Sequence, residues 1–530
     1  MQRFINFGGA LIALLIAVSI GAQTTPNTPV QPPPQGSAAD QASGQAKAPA
    51  PETHITPQQA KELFGSVGPI LQFASEDTKL PIRHQVKPHL TTRNEVEKYL
   101  LEKMKDDKDA KRMERSEIVL KKFGLIDADF HLQSFLVKLL DEQIAAYYDS
   151  KTKTVNLLDW IAPDTQKPVL AHELTHALQD QRVNLDKWQS QTSDDLSHSY
   201  AEDRKHIATD EDDTAREAVL EGQAMAVFID YSLAPAHRSL RNSPGIIDNL
   251  LDTMADDGDS PVLSRAPLLL QESLLFPYKD GLKFEAALVS DSKNPTAAYA
   301  GVLDRPPASS YEIMNPPAYE QETKVPLLNM PDIHPVIDAQ YNPYDIGVMG
   351  ELDVRILAEL FGGKEVAAEL TPAWDGGIYY AAQKKDAPDK GSTASVGLLY
   401  LSQWKSEETA ADFVKMYADE LGRKYSHVAR NNSEESSQDE QVYDTSEGPV
   451  LIVTSGKDVF VSESFDLTTA RKLQFLMLGA QQASGQNTAF NRVPDMGRSS
   501  VSVPTSDLTG GLVRLMAHCG MMKAAVHHLY

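Results

Sequence analysis

The chain has 530 residues, which is long enough for two or three domains with a sizeable core. Hydrophobic residues make up 41% of it and charged residues 23%, as in an ordinary soluble globular protein. The formal net charge of −24 repels phosphate backbones and argues against a nucleic-acid partner, and the single cysteine, Cys519, excludes an intrachain disulfide and a cysteine-based zinc ribbon.

The N-terminal segment has the organisation of an export signal. Arg3 supplies a positive charge, residues 8–20 are apolar but short for a membrane span, and small residues at 19, 21 and 22 offer a cleavage site. Residues 1–22 therefore predict a signal peptide, with an uncleaved anchor as the alternative. Residues 23–56 are rich in Pro, Gln and Ala and predict a disordered linker, although a propeptide would look similar. We expect a secreted or periplasmic protein without a stable membrane span after signal removal.

Residues 57–365 predict one mainly helical domain with a small sheet. Helical patterning begins at Pro57, a second helix opens at 91–95 and runs to about 105, and others cover about 116–123 and 132–144. The hydrophobic period then changes, and residues 145–148 and 154–158 predict a β-hairpin. An extended peptide could pair with the edge of this hairpin, or the edge is an ordinary sheet margin.

The helix that follows the hairpin is predicted over residues 168–181 (PVLAHELTHALQDQ), with Pro168 in its first turn. Residues 187–213 are polar and predict a surface excursion or lid, and residues 214–233 predict a further helix. A mixed, proline-containing region leads to a closing helix predicted at 346–360.

A second, smaller unit is predicted over residues 370–480. Strands are expected at 378–382, 396–401, 441–443, 450–454 and 459–461, and helices at 407–421 and 468–478. This order indicates an α+β unit of ferredoxin-like character. Residues 481–530 are polar and predict a flexible tail. The predicted fold class of the whole chain is α+β.

The central motif is the His-Glu-x-x-His sequence at residues 172–176. Residues four apart lie on one face of a helix, so His172 and His176 can bind one metal ion with Glu173 beside it as a general base. Two surface histidines could give the same five letters, but the uncharged flanks favour a buried site. A metzincin has a third histidine six residues further on; Arg182 occupies that position and Gln179 the expected glycine position, which excludes that class.

A third protein ligand is required, because a catalytic zinc site has three protein ligands and an open position. Glu217 and Glu221 lie four apart on the helix predicted at 214–233, and Gly222 follows the second. A glycine inside a helix costs about 1 kcal/mol relative to alanine. We therefore expect another backbone close to Gly222, that of the His172 helix. Glu221 is the predicted third ligand. Glu217 is either the alternative ligand or an acceptor for the N–H of a ligand histidine. Asp180 is a second candidate for such an acceptor, unless it only ends the helix in solvent.

HELTHALQDQ together with REAVLEGQAMAV resembles the gluzincin metallopeptidases, whose third zinc ligand is a helical glutamate. Glu221-Gly222-x-Ala is similar to the segment of their aminopeptidase branch in which the glutamate before glycine is the ligand. Residues 120–380 resemble more closely a group of largely uncharacterised bacterial and archaeal metallopeptidases, although residues 309–316 depart from that group's pattern. The shared segments are Tyr147-Tyr148-Asp149, HELTHALQDQ, LEGQA, Leu275-Phe276-Pro277-Tyr278 with Gly281, Arg305-Pro306-Pro307, Tyr319, GELDVRILAEL and Trp374-Asp375-Gly376.

The resemblance implies a zincin-like catalytic domain and a Zn²⁺-dependent hydrolysis of a peptide or protein substrate, with Glu173 as the general base. Tyr278, in a predicted FPYxxG loop, is the candidate for oxyanion stabilisation, with Tyr311 and His206 as weaker candidates and a merely packed tyrosine as the alternative. Two other functions stay open. One is a zinc hydrolase of cell-wall peptides, and the other is a non-catalytic envelope binding protein with a structural or vestigial metal site.

Overall fold

The computed structural model describes residues 54–96, 107–143, 146–189, 197–243, 245–247, 262–291 and 295–484. The predicted signal peptide, nearly all of the predicted linker and most of the predicted tail lie outside the described residues. Within those ranges the protein is a mixed α+β structure with one three-stranded and one seven-stranded sheet. No helix in the described part of the chain is both long enough and apolar enough to cross a bilayer.

Helices dominate the first two thirds of the described chain. The first begins at Pro57 as predicted, where Thr56 and Gln59 cap each other's backbone N–H groups. The α-helices are α1 (Pro57–Thr78), α2 (Asp107–Phe123), α3 (Leu132–Gln143), α4 (Pro163–Val183), α5 (Leu185–Gln189), α6 (Tyr200–Ala208), α7 (Asp212–Leu233), α8 (Leu268–Asp291), α9 (Pro295–Ala298), α10 (Ala300–Asp304), α11 (Ser310–Met314), α12 (Pro316–Glu320), α13 (His334–Ile337), α14 (Glu351–Gly362), α15 (Lys364–Leu370), α16 (Glu407–Asp419), α17 (Leu421–Lys424) and α18 (Leu467–Ser484).

The small sheet has the strand order β1-β3-β2, with β1 (Lys87–Thr91), β2 (Ala146–Asp149) and β3 (Thr154–Leu158). The antiparallel β2–β3 pair confirms the predicted hairpin. Strand β1 pairs with β3 in parallel and was missed, because its letters KPHLT carry almost no apolar alternation. The helix expected from Thr91 begins just after this strand, where Thr92 and Glu95 cap it, and it is described as far as Val96.

The large sheet is antiparallel throughout, in the order β4-β5-β6-β10-β9-β8-β7. It is therefore wider than the four strands of a ferredoxin-like unit. Its first strand, β4, lies inside residues 57–365, the range predicted for the first domain. The helix predicted from residue 346 starts only at Glu351, because residues 346–348 belong to β4 and pair with β5. The strands are β4 (Tyr341–Val348), β5 (Trp374–Lys384), β6 (Val396–Trp404), β7 (Val428–Arg430), β8 (Glu440–Thr445), β9 (Gly448–Ser455) and β10 (Asp458–Glu463).

The main hydrophobic core crosses the predicted domain boundary. It runs from Leu63 in α1 to Val461 in β10, and a smaller core lies on the other face of the large sheet. A buried ion pair adds to this connection, since the ammonium of Lys122 in α2 lies 2.7 Å from the carboxylate of Glu447, between β8 and β9. The helical part and the large sheet thus share one interior.

Two proline positions differ from the sequence predictions. Helix α4 begins at Pro163, so Pro163 occupies the first turn and Pro168 lies inside the helix. The FPYxxG segment, predicted as a loop, belongs to α8 with Pro277 inside the helix. The buried residues Leu274, Leu275, Phe276, Tyr278 and Leu282 show why: burial of this apolar surface outweighs the local cost of proline and glycine.

Candidate metal centre

Helix α4 carries the two histidines into the protein interior. Every residue from Pro168 to Asp180 is buried, and the rings of His172 and His176 have centroids 4.7 Å apart. The four-residue spacing puts both imidazoles on the same face of α4, as predicted. Burial lowers the pKa of His172 to about 4, which keeps the ring in the neutral form that a metal ion requires.

Glu221 on helix α7 completes a group of three donors. Its Oε2 atom lies 3.1 Å from Nε2 of His172 and 3.6 Å from Nε2 of His176. One donor atom from each of the three residues lies within 4.8 Å of the other two, and all three residues are buried. Two imidazoles and one carboxylate, drawn from two helices, are a donor set that suits Zn²⁺.

Gly222 is closely approached by another backbone, as predicted, but the partner is α8 rather than the His172 helix. A Cβ atom at Gly222 would lie 2.2 Å from the carbonyl oxygen of Gly281, and a Cβ at Gly281 would lie 2.2 Å from the carbonyl oxygen of Ala218. Two glycines therefore let α7 and α8 pack backbone to backbone. This contact supports α7 from the side, at the residue that follows Glu221.

Glu173 is fully buried next to the three donors. Its Oε2 atom accepts a hydrogen bond of 2.8 Å from the backbone N–H of Tyr148 in β2. Burial and then the negative charge of Glu221 raise the pKa of Glu173 well above its usual range, and the Tyr148 amide partly opposes this rise. The hydrogen bond also places the edge strand β2 alongside the histidines.

A pair of glutamines behind the histidines was not predicted. Nδ1 of His176 lies 2.8 Å from Oε1 of Gln179, so an N–H at Nδ1 would donate to that amide oxygen and leave Nε2 directed at Glu221. The Gln179 amide in turn donates to Oε1 of Gln223 and to the carbonyl oxygen of Leu220, both at 3.1 Å. The helical spacing places Gln179 near His176 on α4, but its role as an acceptor depends on the orientation of the His176 ring, which the sequence does not give.

The two predicted acceptors, Asp180 and Glu217, are both buried, but neither is one of the three converging donors. The carboxylate of Asp180 accepts hydrogen bonds from the Tyr148 hydroxyl at 2.7 Å, the Lys153 ammonium at 2.6 Å and the Leu185 amide at 3.1 Å. Asp180 thus fastens the β2–β3 hairpin to α4. Glu217 is buried one turn before Glu221 and is not one of the three converging donors.

The three candidates for oxyanion stabilisation are separated. Tyr278 is fully buried, and its hydroxyl lies near the Glu221 carboxylate. Burial and the charges of Glu221 and Glu217 raise the pKa of Tyr278 well above its usual range, so its hydroxyl keeps its proton. Tyr311 packs beside Trp374, with ring centroids 6.1 Å apart, and His206 faces Asp210 at 3.7 Å.

Comparisons with known proteins give no match: no family model, curated protein or solved structure is significantly similar to this chain.

Proposed function

We propose that this protein is an exported zinc-dependent metallopeptidase with a zincin-like catalytic domain. The observation that carries the proposal is the convergence of His172, His176 and Glu221, whose donor atoms meet around one carboxylate oxygen in a buried site. The buried Glu173 beside them favours a hydrolase over a structural metal site, because a structural site has no use for a base.

His172, His176 and Glu221 would hold the ion, with Gln179 orienting the His176 ring from behind. When bound there, zinc polarises the scissile carbonyl and lowers the pKa of water to about 7. The chain supplies the proton transfers. Glu173 takes the proton of the attacking water as the C–O bond forms, and it then delivers this proton to the amine nitrogen as the C–N bond breaks.

Strand β2 supports a peptide as the substrate. It is one of the two edge strands of the small sheet, and its Tyr148 amide contacts the general base directly. A substrate chain extended along β2 would carry its scissile bond to Glu173 and gain backbone hydrogen bonds largely independent of its side chains. Tyr278 is the residue we assign to the oxyanion, because its hydroxyl is protonated, buried and close to Glu221.

The test is to measure zinc content and peptide hydrolysis on the same full-chain preparations. The expected wild-type result is zinc bound by the site and hydrolysis of an unstructured protein substrate. Glu173→Gln should keep its zinc and lose roughly 10²–10⁴-fold in rate. Glu221→Ala should lose the zinc of this site. The matched control is Glu217→Gln, one turn away on the same helix, which should retain that zinc.

Each alternative function has its own signature. Zinc binding without hydrolysis of any peptide would support the non-catalytic binding protein. Activity on isolated cell-wall peptides but not on an unstructured protein would support the cell-wall hydrolase. Full activity in Glu173→Gln would disprove the mechanism, and zinc lost in Glu217→Gln but kept in Glu221→Ala would move the third ligand.

The assignment of Tyr278 is tested by Tyr278→Phe. Removal of an oxyanion donor costs roughly 10²–10³-fold in kcat. A tyrosine that is only packed would leave kcat unchanged, because phenylalanine keeps the ring.

A further inference from the structure

A second group of histidines and carboxylates occurs elsewhere in the described chain. One donor atom from each of His198, His334 and Asp338 lies within 4.8 Å of the other two. Nδ1 of His198 is 2.9 Å from Oδ2 of Asp338, and Nδ1 of His334 is 3.2 Å from Oδ1 of the same carboxylate. The Asp338 carboxylate therefore joins the two rings, as a ligand shared around one ion would.

The far side of the His334 ring has a partner of its own. Its Nε2 atom lies 3.0 Å from Oδ2 of Asp203, on helix α6. An N–H at Nε2 that donates to Asp203 fixes the tautomer in which Nδ1 carries the lone pair. A carboxylate that orients a histidine through its other ring nitrogen is a recurring feature of metal sites. The lone pair of His334 is then directed to the side where His198 and Asp338 lie.

The exposure of these residues divides the group into a fixed and an adjustable part. The side chains of His334 and Asp203 are 8% and 6% exposed, whereas those of Asp338 and His198 are 31% and 50% exposed. Donor atoms around a tetrahedral zinc ion lie roughly 3.3 Å apart, given bonds near 2 Å. The exposed His198 can move to reach this separation while His334 stays in place, and a water from solvent can occupy the fourth position.

We propose that His198, His334 and Asp338 form a second, solvent-accessible site for a divalent transition-metal ion such as Zn²⁺, with Asp203 as the positioning residue of His334. The ion would join two segments that are distant in sequence. His198 lies two residues before α6 and Asp203 lies in the first turn of that helix, whereas His334 begins α13 and Asp338 follows α13, shortly before strand β4 of the large sheet. Its role is to clamp α6 to that sheet, separately from the hydrolytic centre.

The experiment is a titration of the metal-free full chain with Zn²⁺ alone, followed by measurement of bound zinc per chain. Wild type should bind an equivalent that His198→Gln loses, while hydrolysis by the His198→Gln variant stays within about two-fold of wild type. Asp203→Asn keeps all three ligands and should weaken that equivalent by roughly 10–100-fold. The matched control is His54→Gln, another exposed histidine beside an aspartate, which should bind as much zinc as wild type.

The competing explanation is that His334 only forms hydrogen bonds with the carboxylates of Asp203 and Asp338 and binds no metal ion. In that case, zinc content would be the same in wild type, His198→Gln and Asp203→Asn, and the proposal would be overturned. The Glu221→Ala variant distinguishes zinc bound at this second site from zinc bound at the proposed hydrolytic site. The second site predicts an equivalent that survives Glu221→Ala and disappears in His198→Gln, whether or not the first site proves to be hydrolytic.

Discussion

Replacement of Gly222 by alanine tests the packing that supports the proposed third ligand. The new Cβ would lie 2.2 Å from the carbonyl oxygen and 2.3 Å from the carbonyl carbon of Gly281. Both obstructing atoms are backbone, so helices α7 and α8 must separate by about 1 Å to reach an ordinary contact. Overpacking of this kind costs about 1–3 kcal/mol or more, whereas the helix propensity of alanine returns only about 1 kcal/mol.

The difference between these terms predicts that Gly222→Ala loses up to about 2 kcal/mol of unfolding free energy. A displacement of about 1 Å at Glu221 should also weaken zinc binding and reduce hydrolysis by roughly 10²-fold, because catalysis depends on position at this scale. Urea unfolding followed by circular dichroism gives the stability, and zinc content and activity are measured on the same sample.

The matched control is Gly65→Ala. Gly65 is an exposed residue of helix α1, and a Cβ there would meet no atom within 4 Å. The control should be more stable than wild type by up to about 1 kcal/mol, with zinc and activity unchanged. If Gly222→Ala matched this control in stability and kept its zinc, the close approach of α7 and α8 would be refuted.

Three further substitutions test other parts of the structure. Gln179→Ala removes the oxygen that faces Nδ1 of His176 and should weaken zinc binding by roughly 10–100-fold, as measured by competition with a chelator. Lys424→Met leaves the buried carboxylate of Glu463 without its closest cation and should cost about 3–5 kcal/mol in urea unfolding. Burial raises the pKa of Glu211 from its ordinary 4.5 to about 8, so the folded protein keeps a proton that the unfolded chain releases. The free energy of unfolding should therefore fall as the pH rises from about 5 to 8. The free energy of unfolding of Glu211→Gln should exceed that of wild type by about 3–5 kcal/mol at pH 9 and by much less at pH 5.

Each of these predictions has a control and a contrary outcome. Gln179→Glu retains an acceptor for Nδ1 of His176, although it loses the two N–H donations to Leu220 and Gln223, and it should bind zinc more tightly than Gln179→Ala. Equal zinc affinity in both variants would remove Gln179 from the site. Lys205→Met removes an exposed lysine, so its free energy of unfolding should stay within about 0.5 kcal/mol of wild type. If Lys424→Met changed the free energy of unfolding equally little, the buried ion pair with Glu463 would be contradicted. For Glu211, parallel stability curves of variant and wild type between pH 5 and 9 would show that its pKa is not raised.

Regular patterns made much of the fold predictable. The β2–β3 hairpin and most strands and helices after residue 370 follow from local alternation or helical spacing of apolar residues, whereas β7 (Val428–Arg430) was not predicted. The three converging donors could also be proposed from sequence, because the spacing of His172 and His176 fixes their common face and Gly222 marks a crowded helix. In these cases the local sequence and the tertiary structure favour the same conformation.

The missed features depend on contacts between distant residues. Pro277 and Gly281 are helix breakers by propensity, yet both lie in α8, where Gly281 is needed for the approach of α7. Strand β1 has too few apolar residues to be recognised and exists because β3 pairs with it. The acceptor role of Gln179 depends on the orientation of one imidazole ring, which no spacing rule supplies.

The ion pair between Lys122 and Glu447 has a consequence for synthesis of the chain. The two residues are 325 positions apart, and a ribosome adds roughly 5–20 residues per second. Lys122 therefore precedes its partner by tens of seconds. A similar delay applies to Phe123 in α2, whose ring packs against Tyr379 in β5 and Tyr400 in β6, far downstream in the chain. This face of α2 therefore stays uncovered until the strands that pack against it have been made.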